Sequence, residues 1–215
     1  MIVINCSQGS REWLNARAGA ITASEVSTAL SVMKRKSDGR EIGDPTAASD
    51  RYATDTAFER ISGEPYGEPP KSWILERGHE LEPQARMAYE IRTGNLAGES
   101  GLILTDDRKF GYSSDGIVGD DRLIEIKCPI DSVKIRYIRA THDLSEYQHQ
   151  IQTGLWITGR KWRDFIMYAP ALKAANKSLF YKRVMRDDDF INDMEKKLWA
   201  FDARVESIVA ELLAA

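Results

Sequence analysis

The sequence predicts an α/β fold in which a small mixed sheet is flanked by helices. Helical spacing of apolar residues dominates the first half of the chain, short aliphatic segments follow, and a long amphipathic segment ends the 215 residues. Helices layered over a sheet bury such one-sided elements against each other. With 42% hydrophobic residues the chain can form one sizeable core, so residues 1–215 are expected to form a single domain.

The helices of the first half are predicted from their capping residues. Thr22 and Glu25 have the spacing of a capping box, and Ser72 is a good N-cap for the longest helix. Between the helices, residues 33–45 and 63–70 carry the Gly, Pro and Asp typical of loops. The predicted helices are residues 22–33, with Leu30 and Met33 on the apolar stripe, residues 46–62, with Ala53 and Ile61, and residues 73–93, with Ile74 and Ala85.

In the second half, the sequence predicts short strands around one more helix, followed by a terminal helix. Strands are predicted at residues 101–105, 109–113, 122–128, 163–169 and 179–185, and helices at 145–158 and from 187 onward. After the first two helices the predicted order is therefore α-β-β-β-α-β-β-α.

The most informative residues lie on a predicted hairpin in the middle of this sheet. Glu125 and Lys127 alternate with aliphatic residues, so both are expected on one face of the strand. Asp115 ends the preceding strand-like segment, and the turn at residues 119–121 folds it back onto Glu125. Carboxylate oxygens suit Mg²⁺ or Mn²⁺, and a lysine beside a metal-bound water suits phosphodiester hydrolysis. The pattern predicts a nuclease site.

A surface hairpin with an ordinary Glu–Lys ion pair is the alternative. The upstream Asp115 and the apolar opposite face favour a site instead. Glu82, on the long helix, could add a third acidic group, although a solvated position is the usual one for such a residue. Gln148, Gln150 and Gln152 cluster on a later helix, where they suit contacts to phosphate or water, unless this is chance polar composition.

The charge is segregated although the net charge is only −3. Residues 160–186 hold eight Lys or Arg and one acidic residue, Asp164, whereas residues 187–215 hold eight Asp or Glu. The balance argues against a protein that coats nucleic acid along its length, while the basic segment predicts either a local phosphate-binding surface or a solvated charged face. The sequence contains no signal-like or membrane-spanning apolar run, which predicts a cytoplasmic protein.

Four ordered blocks resemble the lambda-exonuclease-like family, the YqaJ-type viral recombinases of the PD-(D/E)xK nuclease superfamily. They are WLNARAGAITASEV, ERGHELEPQAR, SSDG with LIEIKCP, and YQHQIQTGLWITG. The resemblance implies the restriction-endonuclease-like core and a 5′-to-3′ exodeoxyribonuclease that digests one strand of duplex DNA, leaving a 3′ single-stranded overhang. Ser114 stands where the superfamily name has proline.

The resemblance also implies a catalytic group made of Glu82, Asp115, Glu125, Lys127 and Gln150. Asp115, Glu125 and the Ile126 backbone carbonyl would bind Mg²⁺ or Mn²⁺, with two ions in the site, and Glu82 would act through a second ion or its waters. Lys127 would orient or deprotonate the attacking water.

Recognition of the DNA end is implied at five positions. Arg17, Ser24, Ser113 and Gln150 match residues that bind the 5′-phosphate, and Leu75 matches an apolar wedge that parts the strands. Without the resemblance, Arg17 would be interpreted as a surface charge, Ser24 as a helix cap and Leu75 as a core residue.

The family further implies a homotrimer that encircles the duplex, and a single-strand annealing protein as partner, in a phage or prophage protein acting in the bacterial cytoplasm. Two alternatives stay open at this point. One is a restriction-type or repair endonuclease of the same superfamily, and the other is a module that binds DNA ends without turnover.

Overall fold

The computed structural model describes residues 1–37, 39–67 and 72–214. The helices are α1 (Arg11–Arg17), α2 (Val26–Ala29), α3 (Ala47–Ser62), α4 (Trp73–Thr93), α5 (Ser132–Thr141), α6 (Gln148–Thr158) and α7 (Asp188–Ala214). The strands are β1 (Ile2–Ile4), β2 (Ile21–Thr22), β3 (Leu102–Leu104), β4 (Phe110–Ser113), β5 (Gly116–Val118), β6 (Arg122–Lys127), β7 (Trp162–Tyr168) and β8 (Leu179–Met185).

The strands form two small mixed sheets rather than the one sheet that the sequence predicts. The first sheet has the order β1-β3-β4-β2, with β2 and β4 parallel and the other pairs antiparallel. The second has the order β5-β6-β7-β8, with β6 and β7 parallel between two antiparallel pairs. Helices flank both sheets, which confirms the predicted α/β class. Within the described residues, no helix is long and apolar enough to cross a membrane.

The predicted hairpin exists, but its first strand differs from the predicted one. The strand predicted at residues 109–113 corresponds to β4 (Phe110–Ser113) in the first sheet. Strand β6 pairs instead with the short strand β5, in a register that places Gly116 opposite Ile124. Asp115 therefore lies in the two-residue crossing from one sheet to the other. A Cβ atom at Gly116 would lie 2.8 Å from the Ile124 side chain, so a larger residue there would require the buried Ile124 to move.

The helix predicted over residues 22–33 is much shorter in the structure. Residues Ala23–Glu25 form a 3₁₀ turn and α2 covers only the next four residues, so Met33 lies beyond it. Thr22 makes no side-chain capping hydrogen bond, so the predicted capping box is wrong. Elements that the sequence analysis did not predict are β1, α1, β2, β5 and α5. Of the predicted loops, residue 38 and residues 68–70 lie outside the described part of the chain.

The helix ends follow the predicted capping chemistry. The Thr46 hydroxyl accepts a hydrogen bond from the Ser49 amide at the start of α3, and the Ser72 hydroxyl accepts one from the Leu75 amide at the start of α4. Gly63 and Gly94 end these helices in the left-handed conformation, which glycine adopts without strain. Two residues assigned to the apolar stripes, Ile61 and Ile74, are 44% and 45% exposed, so the buried faces are narrower than predicted.

Helix α4 is fixed to the second sheet by a buried polar contact as well as by apolar packing. Ala85 and Tyr89 of α4 pack with Ile124 and Ile126 of β6. The Tyr89 hydroxyl donates a 2.6 Å hydrogen bond to Oδ2 of Asp164 on β7, a carboxylate that is 2% exposed. This contact sets the position of the helix that carries Glu82.

Replacing Tyr89 with phenylalanine should therefore destabilise the fold without changing the size of the core. The variant leaves the Asp164 carboxylate buried with one donor fewer, which costs about 1–3 kcal/mol. The matched control is Tyr181→Phe: Tyr181 packs edge-on against Tyr89 with its side chain 43% exposed, and its loss should stay within about 0.5 kcal/mol. Urea unfolding of both variants measures the difference; equal losses would show that the Tyr89–Asp164 bond does not stabilise this packing.

Candidate active site

The candidate site is centred on the buried carboxylate of Glu125. Its side chain is 2% exposed, with Oε1 2.8 Å from the Lys127 ammonium and Oε2 2.9 Å from Nη1 of Arg163. Alternation along β6 puts Glu125 and Lys127 on one face, as predicted, with Ile124 and Ile126 on the other. A carboxylate enclosed by two cations is not the exposed ion pair of an ordinary surface hairpin, so the alternative interpretation of this hairpin is wrong.

Asp115 reaches the same strand from the crossing between the sheets. Its Oδ2 accepts a 2.6 Å hydrogen bond from the backbone amide of Ile126, between Glu125 and Lys127. The preceding residue, Ser114, shapes the crossing, because its buried hydroxyl donates to the carbonyl of Gly116 and accepts from the Gly116 amide. Serine at the position of the superfamily's proline therefore supports the turn through hydrogen bonds.

The electrostatics reflect two carboxylates held close together. Burial, and then repulsion from Glu125, raise the pKa of Asp115 to about 8, against the lowering effects of Lys127 and the Ile126 amide. Burial lowers the pKa of Lys127, but attraction from Glu125 and Asp115 outweighs it and leaves that pKa above its usual value. Both carboxylates therefore favour the charged, hydrogen-bond-donating form of Lys127.

Glu82 lies on α4, which two arginines attach to the hairpin. Arg77 donates to the backbone carbonyl of Cys128 at 2.8 Å, and Arg86 donates to the backbone carbonyl of Asp115 at 2.5 Å. Glu82 lies between them in sequence, is partly exposed, and is close enough to raise the pKa of Asp115 by repulsion. His79 is its neighbour, with Nδ1 3.7 Å from the Glu82 carboxylate.

These donors fit a hard cation of the Mg²⁺ type. No group of three His, Cys, Asp or Glu side chains in the described residues is arranged to hold a metal ion. A magnesium site, however, commonly uses one or two carboxylates and completes its shell with water. Asp115 and Glu125 supply that pair, all their donors are oxygens, and a cation between them would relieve the repulsion that now raises the pKa of Asp115.

The residues proposed for the 5′-phosphate form a second connected group. Nη2 of Arg17 donates to the Thr22 hydroxyl at 2.9 Å, and that hydroxyl lies 3.4 Å from the hydroxyl of Ser24. Trp13 joins them to the first sheet, because Arg17 lies 4.4 Å above its ring and its indole N–H donates to the Ser113 hydroxyl at 2.7 Å. Arg17 is therefore no free surface charge, and Thr22 binds Arg17 instead of capping a helix.

Gln150 and Leu75, two other residues that the sequence singles out, differ from each other in burial. Gln150 is half-buried on α6, and its backbone carbonyl accepts a 3.2 Å hydrogen bond from Arg163, which links it to Glu125. Leu75 is 46% exposed beside Trp73, which is 62% exposed, on the first turn of α4. Packing of Leu75 in the core, the alternative interpretation, is therefore wrong.

The basic segment is less available for DNA than its composition indicates. Arg163 is fully buried, Arg183 binds Asp164 at 3.0 Å, and Arg186 binds Asp188 at 2.6 Å. Lys161 lies 3.4 Å from Asp121. Much of the positive charge of residues 160–186 is thus neutralised within the chain, and a surface for phosphate cannot be inferred from the count of cations alone.

Sequence reasoning missed Arg163, Arg77, Arg86 and Trp13. One feature could have drawn attention to Arg163: it is the second residue of β7, and the residues that follow it in this strand are buried. The two arginines of α4 bind backbone carbonyls, and a sequence carries no local mark of such contacts.

Comparison with known proteins gives the family. The profile of the YqaJ-like viral recombinase domain matches residues 12–161. The crystal structure of LHK-Exo, an alkaline exonuclease from Laribacter hongkongensis, is 35% identical with a TM-score of 0.80, and the match covers 95% of this chain and 97% of that one. The structure of LHK-Exo in complex with dAMP matches at the same identity and TM-score over 94% and 96% of the two chains.

A phage-related exonuclease from Haemophilus somnus 129PT shares the fold at 14% identity and a TM-score of 0.65, over 90% of this chain and 96% of that one. No curated protein sequence matches the chain. The profile covers well over half of the chain, and the alkaline exonuclease matches nearly all of it, which confirms the resemblance carried by the four sequence blocks. The chain belongs to the YqaJ-like viral recombinase family.

Proposed function

We propose that this protein is a Mg²⁺-dependent 5′-to-3′ exodeoxyribonuclease that digests one strand of duplex DNA and leaves a 3′ single-stranded overhang for phage-type recombination. The observation that carries the proposal is the enclosed Glu125 carboxylate, with Lys127 on one oxygen and Asp115 on the adjacent amide. Membership of a family whose solved relatives include an alkaline exonuclease supports nuclease chemistry at this position.

In this proposal Asp115, Glu125 and the Ile126 backbone carbonyl hold the ions, two in the site, with Glu82 acting on the second ion or its waters. Bound divalent ions would polarise the phosphate, lower the pKa of a bound water and neutralise the leaving oxygen. Lys127, hydrogen-bonded to Glu125, orients or deprotonates the attacking water and stabilises charge on the phosphate.

The end of the digested strand is held by Arg17, Ser24, Ser113 and Gln150. Three of these residues already meet in the network around Trp13 and Thr22, and α6, which carries Gln150, packs on the 3₁₀ turn that carries Ser24. A guanidinium fork suits bidentate contact with a terminal phosphate. Leu75, exposed on the first turn of α4, is the proposed wedge between the strands.

We further propose that three copies form a closed ring around the duplex and that a single-strand annealing protein takes over the overhang, in the cytoplasm of a bacterium that carries the phage or prophage. A ring with cyclic symmetry needs only one repeated interface, and it would keep the enzyme on DNA through many cycles.

Substrate topology tests the end-dependence of this function. Mg²⁺-dependent nucleotide release should be rapid from 5′-phosphorylated linear duplexes, slower from 5′-hydroxyl ends and absent from closed circles. Nicking of closed circular DNA would favour a restriction-type or repair endonuclease. End binding without release would favour the non-catalytic module.

Removing a proposed metal ligand should abolish hydrolysis in a folded protein. Mutating a residue that only supports a metal ligand typically lowers metal affinity or activity about 10–100-fold. Replacing a ligand itself, as in Asp115→Asn or Glu125→Gln, should therefore lower kcat at least about 100-fold. The control is Asp120→Asn, an exposed carboxylate in the turn of the same hairpin, which should keep full activity. Single-turnover digestion of a labelled duplex measures the effect, and a folded Asp115→Asn protein with near-normal turnover would remove Asp115 from the site.

Arg17 should control the preference for phosphorylated ends. A charge-assisted hydrogen bond contributes about 1.5–3 kcal/mol, so Arg17→Ala should reduce the ratio of rates on 5′-phosphate and 5′-hydroxyl ends about tenfold or more. Arg17→Lys should restore only part of the ratio, because a point charge replaces a planar fork. Arg11, an exposed arginine on the same helix, is the control, and Arg11→Ala should leave the ratio unchanged. An unaltered ratio in Arg17→Ala would exclude this residue from end recognition.

The ring predicts a defined mass and a salt-dependent processivity. Light scattering should give three times the mass of the chain, and tract length should shorten between about 50 and 200 mM salt as phosphate contacts are screened. A monomer that digests processively at working concentration would contradict the ring. A monomer that digests distributively would contradict the assembly and leave the nuclease function in place.

A further inference from the structure

Arg163 is a fully enclosed cation whose contacts converge on the site. Its side chain, on β7, is 0% exposed, and Nη1 donates both to Oε2 of Glu125 at 2.9 Å and to the backbone carbonyl of Gln150 at 3.2 Å. The guanidinium also lies 4.5 Å above the ring of Tyr112. One group therefore joins the carboxylate of β6 to the helix α6.

Gly154, in the interior of α6, makes room for this cation. A Cβ atom there would lie 1.8 Å from Nη2 of Arg163 and 2.9 Å from the ring of Tyr112. Glycine weakens a helix interior relative to alanine, so a glycine at such a position has a packing reason. The space it leaves is the space the guanidinium occupies.

Arg163 and Lys127 divide the two oxygens of Glu125 between them. Oε2 faces Arg163, whose own charge would be costly to bury without a partner, and Oε1 faces Lys127, whose side chain is 30% exposed. The Arg163 contact therefore lies on the buried side of Glu125, and Oε1 faces the more exposed of the two cations.

We propose that Arg163 is a positioning residue. Its hydrogen bond keeps Oε2 occupied, so Glu125 binds a metal ion through Oε1 alone and not as a bidentate ligand. The inference rests on the proposed metal dependence. Ca²⁺ accepts bidentate carboxylates at longer distances, whereas Mg²⁺ requires compact octahedral geometry and keeps several waters. Confining Glu125 to one oxygen thus selects for Mg²⁺ against Ca²⁺.

Binding of each ion to the DNA-free protein tests this without a turnover assay. Isothermal titration calorimetry with Mg²⁺ and with Ca²⁺ gives the ratio of their dissociation constants in wild type and in Arg163→Met. Loss of a positive charge strengthens attraction for both ions, so the ratio is the informative quantity. It should shift toward Ca²⁺ by about tenfold, the scale on which partners of metal ligands act, and Arg163→Lys should fall between.

Two further variants separate positioning from loss of stability. Gly154→Ala keeps every charge but displaces the guanidinium, and should shift the ratio in the same direction. Arg122→Met removes a mostly buried arginine from the Asp164 cluster on the opposite face of the same sheet, and should leave the ratio unchanged even though it lowers the melting temperature. Circular dichroism establishes which variants are folded, and Gly154→Ala and Arg163→Lys decide the question if Arg163→Met does not fold.

The outcomes distinguish a failure of this inference from a failure of the proposed function. A wild-type ratio in folded Arg163→Met, or in folded Gly154→Ala where the other variant is unfolded, overturns the role of Arg163 and leaves the nuclease untouched. A shift in Arg122→Met equal to that in Arg163→Met also overturns it, because the effect would then follow stability alone. Binding of neither ion by wild type would overturn the proposed metal dependence together with this inference.

Discussion

The structure depends on burying the Glu125 carboxylate inside a sheet. A charge that is 2% exposed must be paired, and its partners, Lys127 and Arg163, come from β6 and from the neighbouring strand β7. This pairing depends on the register that places Leu123 opposite Arg163, because a slip of one residue would turn Arg163 to the other face. The apolar residues that alternate with these charges therefore set the geometry of the site by setting the register.

The same alternation provides a second ionic layer on the opposite face. Arg163 and Asp164 are adjacent in sequence and point to opposite sides of β7, the arginine toward α6 and the aspartate toward α4. Asp164 is in turn bound by Tyr89, on α4, and by Arg183, on β8. One strand thus connects the helix of Gln150 with the helix of Glu82. Both helices contribute proposed site residues, so their separation depends on two buried charges of opposite sign on one strand.

Local chemistry predicts the longest helices, the longest strands and the central acidic residues. Capping at Ser72, helix ends at glycine, and the Glu125–Lys127 alternation are properties of a few adjacent residues, and all of them appear in the structure. The two-residue strand β2 and the crossing at Asp115 were missed or misplaced because they exist only through pairing with distant strands. Arg163 was missed for a related reason. In sequence it belongs to a basic run, and its burial depends on a glycine in another element. Pairing with a distant strand, or space left by a distant glycine, cannot be recognised from the residues of the segment itself.

The crossing between the sheets limits how far apart two of the proposed site residues can lie. Ser113 ends the first sheet and Asp115 precedes the second, so the residue proposed to hold the terminal phosphate and the residue proposed to hold the metal are two positions apart in the chain. Extended backbone spans about 3.3 Å per residue, so about 7 Å separates their Cα atoms at most. Because each residue is attached to a different sheet, any shift of one sheet against the other would change the distance between the proposed phosphate-binding and metal-binding residues.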